Sequence, residues 1–424
     1  MEWIGWVVVG VVTAQLLVML YGEIRRIRGE VEQRHLSFAL LRQRIAAADA
    51  LRVRREQAQL FWNGVRKFVV RSKVEEAANI FSFYLEPHDG KALPQFQPGQ
   101  YLTFRINVPG HSEPLIRCYS LSDRPHPDYY RITIKRVPPP PDVPEAPPGV
   151  VSNYFIDHVR EGDILDVQAP RGNFVLDTTR TSPIVLIAGG IGITPLLSML
   201  ASIVDQQIER EVWLFHGVRN RREHALRDQI DKLNQRHERT RVIVCHSAPL
   251  PEDKQGRDYV FAEHISVPML QNVLQSSNYD YYVCGPPPMM ANIIPALKKW
   301  GVPKDHIFTE AFGPASGKVI AAVQREESKS EQDAKPPAAK RPQVTFQRSN
   351  TVATWDDSFD NLLDLALKNN VRIESGCRAG SCGTCLVAIK SGRVVCTSES
   401  HADIEEGTCL TCVSVPDDNL VLDL

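Results

Sequence analysis

Gly376-Cys377-Arg378-Ala379-Gly380-Ser381-Cys382-Gly383-Thr384-Cys385 is the stretch that decides what this chain folds around. Four residues separate its first two cysteines and two separate the next pair, and Cys396, Cys409 and Cys412 follow. Thiolates at four-plus-two spacing ahead of a distant fourth are the pattern that wraps a 2Fe-2S cluster. The interleaved Gly and Ser let a tight loop aim backbone N–H groups at the cluster's sulfurs, which favours the reduced, more negative state. Structural zinc also takes four thiolates, but its sites usually pair short spacings. Position alone leaves the fourth ligand open among Cys396, Cys409 and Cys412.

Around that loop, residues 343–424 read as a small α+β domain. A hairpin spans Val344 to Trp355, a helix lies near Phe359 to Lys368, and an apolar strand, Leu420 to Leu424, closes the domain. Residues 323–342 are charged and rich in Pro, Ala and Lys without periodicity, which predicts a linker. In residues 179–322 the texture is strand, helix, strand. Ile184–Ala188, Val212–His216, Arg241–Cys245, Tyr281–Cys284 and His306–Thr309 are buried-type strands, an alternation that predicts a parallel sheet with helices on both faces. In residues 63–178 short apolar and aromatic runs are separated by Gly and Pro turns, which predicts an antiparallel β-barrel. The Pro run from Pro138 to Pro148 must loop out of it.

The N-terminus differs from all of this. From Trp3 to Tyr21 nearly every residue is apolar, with aromatic residues at both ends, so residues 1–22 are predicted to be a transmembrane anchor. The start carries Glu2 rather than a basic cluster, and no small-residue cleavage site follows, which argues against a removed signal peptide. Arg25, Arg26, Arg28 and Arg34 come next and predict a single-pass protein with its catalytic domains in the cytoplasm. Residues 23–62 are predicted to form an amphipathic helix whose apolar stripe could pair with a second copy, and whose Arg excess suits a lipid bilayer. The 424 residues, 43% of them hydrophobic and with a net charge of -1, describe ordinary folded domains and carry no nucleic-acid signature. Nine Cys without a secretory-style framework suit a reducing compartment.

Five further motifs complete the pattern. Arg117-Cys118-Tyr119-Ser120 ends a barrel strand; a guanidinium suits phosphate, a phenol ring stacks on a planar ring, and a hydroxyl hydrogen-bonds a ring nitrogen. Tyr130-Arg131-Ile132-Thr133-Ile134-Lys135 forms another strand, and Gly149-Val150-Val151-Ser152-Asn153 opens a helix whose N-terminus favours an anion. Gly189-Gly190-Ile191-Gly192-Ile193-Thr194-Pro195 clears space at a strand-to-helix turn without matching the usual dinucleotide fingerprint. Cys284-Gly285-Pro286-Pro287-Pro288-Met289 ends the fourth parallel strand, at the edge where such sheets bind ligands.

In these motifs and their order the chain resembles ferredoxin-NADP reductase-like flavoproteins, specifically oxygenase reductases with a C-terminal plant-type ferredoxin, of the phthalate dioxygenase reductase and vanillate demethylase reductase type. The resemblance covers residues 65–424 and implies a β-grasp ferredoxin domain with Cys377, Cys382, Cys385 and Cys412 as cluster ligands. It also implies flavin contacts from Arg117 on the phosphate, Tyr119 on the isoalloxazine ring and Ser120 near N5, with Cys118, Ile134, Lys135, Gly149, Val151, Ser152 and Asn153 alongside. The nicotinamide nucleotide falls to Gly190, Gly192, Thr194, Arg219, Cys284, Gly285 and Pro286, and the reacting centre to Ser120, Cys284, Glu310 and Phe312. FAD is implied over FMN. NADH is read over NADPH, although Arg219, Arg221 and Arg222 could grip a 2′-phosphate. The function implied is a membrane-anchored NAD(P)H-dependent reductase passing electrons through FAD and a 2Fe-2S cluster to a terminal oxygenase, hydroxylase or desaturase. The alternatives are a reductase for a cytochrome or hybrid-cluster protein, or a membrane redox sensor without turnover.

Overall fold

The computed structural model describes residues 60–139, 145, 147–310, 312, 341–356, 358–376, 378, 380, 383–397 and 404–424, with isolated positions between 13 and 52. Cys377 and Cys382 lie outside the described residues, as do most of the predicted anchor, most of the helix at 23–62 and nearly all of the predicted linker. Among the described residues no helix is long and apolar enough to cross a membrane. Described positions between 13 and 28 are helical and exposed. The chain divides into two units, Met1–Phe61 and Trp62–Leu424.

The second unit opens with the antiparallel barrel. Its strands are β1 (Val65–Ala77), β2 (Ile80–Pro87), β3 (Tyr101–Ile106), β4 (Leu115–Ser120), β5 (Tyr130–Lys135) and β6 (Ile164–Arg171), in the spatial order β4-β3-β6-β1-β2-β5. A bridge between Leu121 and Ile132 joins the two edges and closes the barrel. Inward positions such as Phe68, Phe83, Leu85, Leu102 and Phe104 are fully buried, as period-two patterning requires. The helix Val150–His158 covers one end. Its Phe155 meets Phe83 and Phe104 edge-on at 5.5 Å each and Tyr119 at 5.4 Å. Those contacts fix the ring of a predicted flavin residue from behind.

The parallel sheet follows, with β7 (Ile184–Gly189), β8 (Val212–Val218), β9 (Thr240–His246), β10 (Asp280–Cys284) and β11 (Ile307–Glu310) in the order β11-β10-β7-β8-β9. The order reverses between β7 and β10, and their C-terminal ends flank the crevice where open α/β sheets take ligands. The last strand runs one residue beyond the predicted limit, which makes Glu310 a sheet residue opposite Cys284.

The ferredoxin-like part contains β12 (Gln343–Phe346), β13 (Thr351–Thr354), β14 (Leu386–Ser391), β15 (Val394–Cys396), β16 (Thr408–Leu410), β17 (Ser414–Pro416) and β18 (Leu420–Leu422). The main sheet has the order β13-β12-β18-β14-β16 with β12 parallel to β18, the β-grasp arrangement, and β15 pairs with β17. The helix spans Leu362–Lys368 and begins later than the sequence suggests, because the Asn361 side chain caps it by accepting from the Asp364 N–H at 2.9 Å. Leu362, Leu363, Leu365 and Ala366 pack on Val344, Phe346, Leu420 and Leu422.

Candidate active site

A cleft of about 890 Å³ runs from the end of β4 to the start of the cluster loop. Of the residues predicted to contact flavin or the reacting centre, Arg117, Cys118, Tyr119, Ser120, Ile134, Lys135, Ser152, Glu310 and Phe312 line it, and so does Thr194 of the nucleotide set. Antiparallel pairing with β3 sets their alternation: Arg117 sits opposite Phe104 at the exposed rim, while Ser120 sits opposite Tyr101 and is buried. Burial pushes the Tyr119 phenol well up, so it is neutral at any physiological pH.

At the deep end, Ser120 Oγ donates to Glu310 Oε2 at 3.2 Å. Glu310 is 7% exposed, and burial raises its carboxyl to about 8, against a smaller opposing pull from the Ser120 hydrogen bond. A carboxyl of that kind is mostly protonated at neutral pH and holds a transferable proton beside the cleft. Its strand neighbour Cys284 is fully buried, and its thiol is pushed up first by burial and then by Glu310. Cys284 is thus a neutral thiol rather than a nucleophilic thiolate.

The nicotinamide loops meet at the switch point. A Cβ on Gly192 would stand 2.3 Å from the Cys284 carbonyl oxygen, so only glycine lets the β7 turn lie against the end of β10. A Cβ on Gly285 would likewise meet Met289 Cε at 2.4 Å. Gly190, with φ +53°, has open space where a side chain would be. The helix Ile193–Asp205 starts at Gly192 without a side-chain cap, its Ile193 N–H donating to the Gly190 and Ile191 carbonyls and Pro195 having none to donate. Thr194 is buried and donates its hydroxyl to the Ile191 carbonyl at 3.1 Å. Pro286 stands just ahead of the helix Pro287–Lys299, in extended conformation.

Several predicted contacts are occupied within the protein. The Asn153 amide accepts from the Val137 N–H at 3.0 Å and donates to the Val137 carbonyl at 3.2 Å, so it anchors the strand end rather than facing an anion. Val151 is a buried residue of the helix Val150–His158, and Gly149 caps that helix without a side chain, leaving first-turn N–H groups uncapped by side chains. The Lys135 ammonium pairs with Glu223 at 2.6 Å. Arg219 is exposed, 4.0 Å from Glu223. The sequence reading missed Tyr101, Thr133 and the charged rim of Arg105, Glu113, Arg372, Glu374 and Arg378. It also missed His216, whose Nε2 lies 3.2 Å from the Gly190 carbonyl oxygen. Burial holds that imidazole down to about 4, so it supports the loop as a neutral donor.

At the cluster, Cys385 and Cys412 are both buried with their sulfurs 3.2 Å apart. Cys409 is buried on β16 opposite Val387, its thiol pushed up to about 12 by burial, and Cys396 is exposed. Arg378, Gly380 and Gly383 all take positive φ, winding the loop tightly. The residues present therefore fit all three groups. Two helix starts lack side-chain caps, the glycine turn has open space at Gly190, and two buried thiols lie 3.2 Å apart.

Residues 67–176 match the oxidoreductase FAD-binding domain, residues 186–294 the oxidoreductase NAD-binding domain and residues 344–417 the 2Fe-2S iron-sulfur cluster binding domain. The flavohemoprotein of Halalkalibacterium halodurans is 42% identical over 259 residues, 61% of this chain and 62% of that protein, so the chain spans about 62% of the length of that relative. The flavohem-like FAD/NAD binding domain of nitric oxide dioxygenase from Vibrio cholerae O1 biovar El Tor is 32% identical with a TM-score of 0.53, covering 59% of this chain and 100% of that one. Phthalate dioxygenase reductase is 27% identical with a TM-score of 0.51, covering 85% of this chain and 98% of that one. The class is thus an NAD(P)H-dependent oxidoreductase that binds FAD, NADH and a 2Fe-2S cluster. Its domains stand in the order of phthalate dioxygenase reductase.

Proposed function

We propose that this reductase draws electrons from NADH and delivers them to a membrane-bound terminal oxygenase, hydroxylase or desaturase. The observation that carries this reading is the shared cleft: the flavin motif Arg117–Ser120 lines one end, and Gly376 and Arg378 of the cluster loop line the other. When bound, the three groups together convert a two-electron hydride donor into a source of single electrons. The protein's part is to hold and order them. Arg117 and the uncapped start of the helix Val150–His158 take flavin phosphate, Tyr119 braced by Phe155 supports the ring, and Ser120 with Glu310 holds a proton at the deep end. Cys284 and the glycine turn receive the nicotinamide. Cys412, beside Cys385, completes the ligand set with Cys377 and Cys382.

NADH is preferred over NADPH in this reading because the guanidinium groups near the end of β8 already face carboxylates. Arg222 pairs with Glu252 at 2.9 Å, Arg221 with Asp258 at 3.7 Å and Arg219 with Glu223 at 4.0 Å. Membrane attachment through residues 1–22 rests on the apolar run and on the exposure of Leu16, Leu17, Met19, Leu20 and Tyr21 along a helical stretch. The basic residues after it orient the domains to the cytoplasm. Association of two copies through residues 23–62 belongs to the same reading.

Cytochrome c reduction driven by NADH tests the electron route. Cys382→Ser should lose it while flavin bleaching by NADH persists, and equal loss of both would contradict a serial path. Removal of residues 1–22 should leave ferricyanide reduction intact and release the protein from membranes. A full-length protein that fractionates as soluble would contradict the anchor.

A further inference from the structure

Among the described residues, two ion pairs join the flavin barrel to the ferredoxin domain: Arg105 with Glu374 at 3.5 Å, and Glu113 with Arg372. Arg105 lies on β3 and Glu113 in the turn before β4, while Arg372 and Glu374 stand two residues apart just ahead of the cluster loop. All four line the rim of the cleft. The charges are crossed, with a base and an acid on the barrel meeting an acid and a base on the ferredoxin domain.

We propose that these crossed pairs are the docking code that sets the ferredoxin domain on the barrel for internal electron delivery, with Arg105, Glu113, Arg372 and Glu374 as positioning residues. The inference rests on the flavin-to-cluster route proposed above. A dock that exchanges the two contacts sets Arg105 against Arg372 and Glu113 against Glu374, so the pattern rejects that arrangement through like-charge repulsion. The side chains are 37–73% exposed, so each pair is weak and screened by salt. Weak contacts suffice here because the two domains belong to one chain, and a tethered partner docks at high effective concentration. The code therefore governs orientation and leaves the contact readily opened.

The test uses full-length holoenzyme at equal flavin and iron occupancy, in anaerobic stopped flow that follows flavin and cluster absorbance together, with solution scattering as an independent readout of docking. Arg372→Glu should slow cluster reduction about two- to tenfold and lengthen the particle, while flavin reduction by NADH keeps its rate. The quadruple variant Arg105→Glu, Glu113→Arg, Arg372→Glu and Glu374→Arg keeps the charges crossed and should recover both at low salt, whereas Glu113→Arg with Arg372→Glu alone leaves the barrel side basic and the ferredoxin side acidic, no longer rejects the exchanged dock and should recover only in part. In the wild type, raising salt from about 0.05 to 0.5 M should slow only the cluster step. A wild-type cluster that NADH never reduces would overturn the electron route itself. A wild-type cluster reduced at a rate indifferent to salt and to Arg372→Glu would overturn the dock alone, as would a quadruple variant that fails to recover.

Discussion

The barrel meets its two neighbours in opposite ways. Toward the nicotinamide domain it shares a core, with Ile80, Phe174 and Leu176 buried among Leu196, Leu200 and Tyr282. Buried or half-buried polar contacts reinforce that seam: Ser198 Oγ donates to the Asp123 carbonyl at 2.6 Å, and Arg131 donates to Gln229 Oε1 at 2.7 Å. Toward the ferredoxin domain it offers exposed ion pairs, and the ferredoxin core is built from that domain's own residues. The difference matches the chemistry each seam serves. Hydride transfer needs reacting atoms about 3–3.5 Å apart and aligned, which a shared core can hold. Delivery of single electrons does not need atoms in bonding contact, so a weak, oriented dock is enough.

Truncation at the seams should separate them most. Phe174→Ala, which removes a ring packed edge-on to Tyr282 at 5.9 Å, should cost about 3–5 kcal/mol in denaturant unfolding. A loss under about 1 kcal/mol would show that the core is not continuous across the seam. Gly192→Ala comes next. The added methyl meets backbone rather than a flexible side chain, so a loss of about 1–3 kcal/mol is expected, together with weaker NADH binding by titration. Unchanged nucleotide affinity would show that the close approach to Cys284 is not needed.

The buried carboxyl gives a pH signature at the same rigid seam. Glu310 titrates near 8 in the folded protein, above the ordinary carboxyl value, so the folded state binds the extra proton between the two values. Stability should therefore fall as pH rises, by about 1–3 kcal/mol between about pH 6 and 8.5, and Glu310→Gln should flatten that slope. A slope that persists in the variant would assign it to another group. The smallest effect belongs to the ferredoxin seam: Arg372→Ala should change unfolding stability by no more than about 0.5 kcal/mol.

What the sequence reveals follows from how local each determinant is. The thiolate loop, the glycine turns and the five parallel strands are encoded by neighbouring residues, and the strands fall within two residues of their predicted ends. The helix in the ferredoxin domain is displaced only because Asn361 caps it. Glu310 was legible as a site residue only through resemblance, since the burial that raises its carboxyl arises from tertiary packing and its hydrogen-bond partner Ser120 is 190 residues away. The crossed ion pairs read locally as ordinary surface charge, because Glu113 and Arg372 are 259 residues apart. Asn153 shows the reverse failure. Its place at a helix start suggests an anion contact, but its side chain accepts from the Val137 N–H and donates to the Val137 carbonyl, which the Gly149 N–H also reaches.

The most direct measurement is the order of reduction after anaerobic mixing with NADH, followed at flavin wavelengths and by the paramagnetic signal of the reduced cluster in freeze-quenched samples. Flavin bleaching should come first, with the cluster signal rising after it. Cys382→Ser should bleach at the wild-type rate with no cluster signal. A cluster signal that rises before the flavin bleaches, or a variant whose flavin no longer accepts hydride, would contradict the serial path from nicotinamide through flavin to cluster.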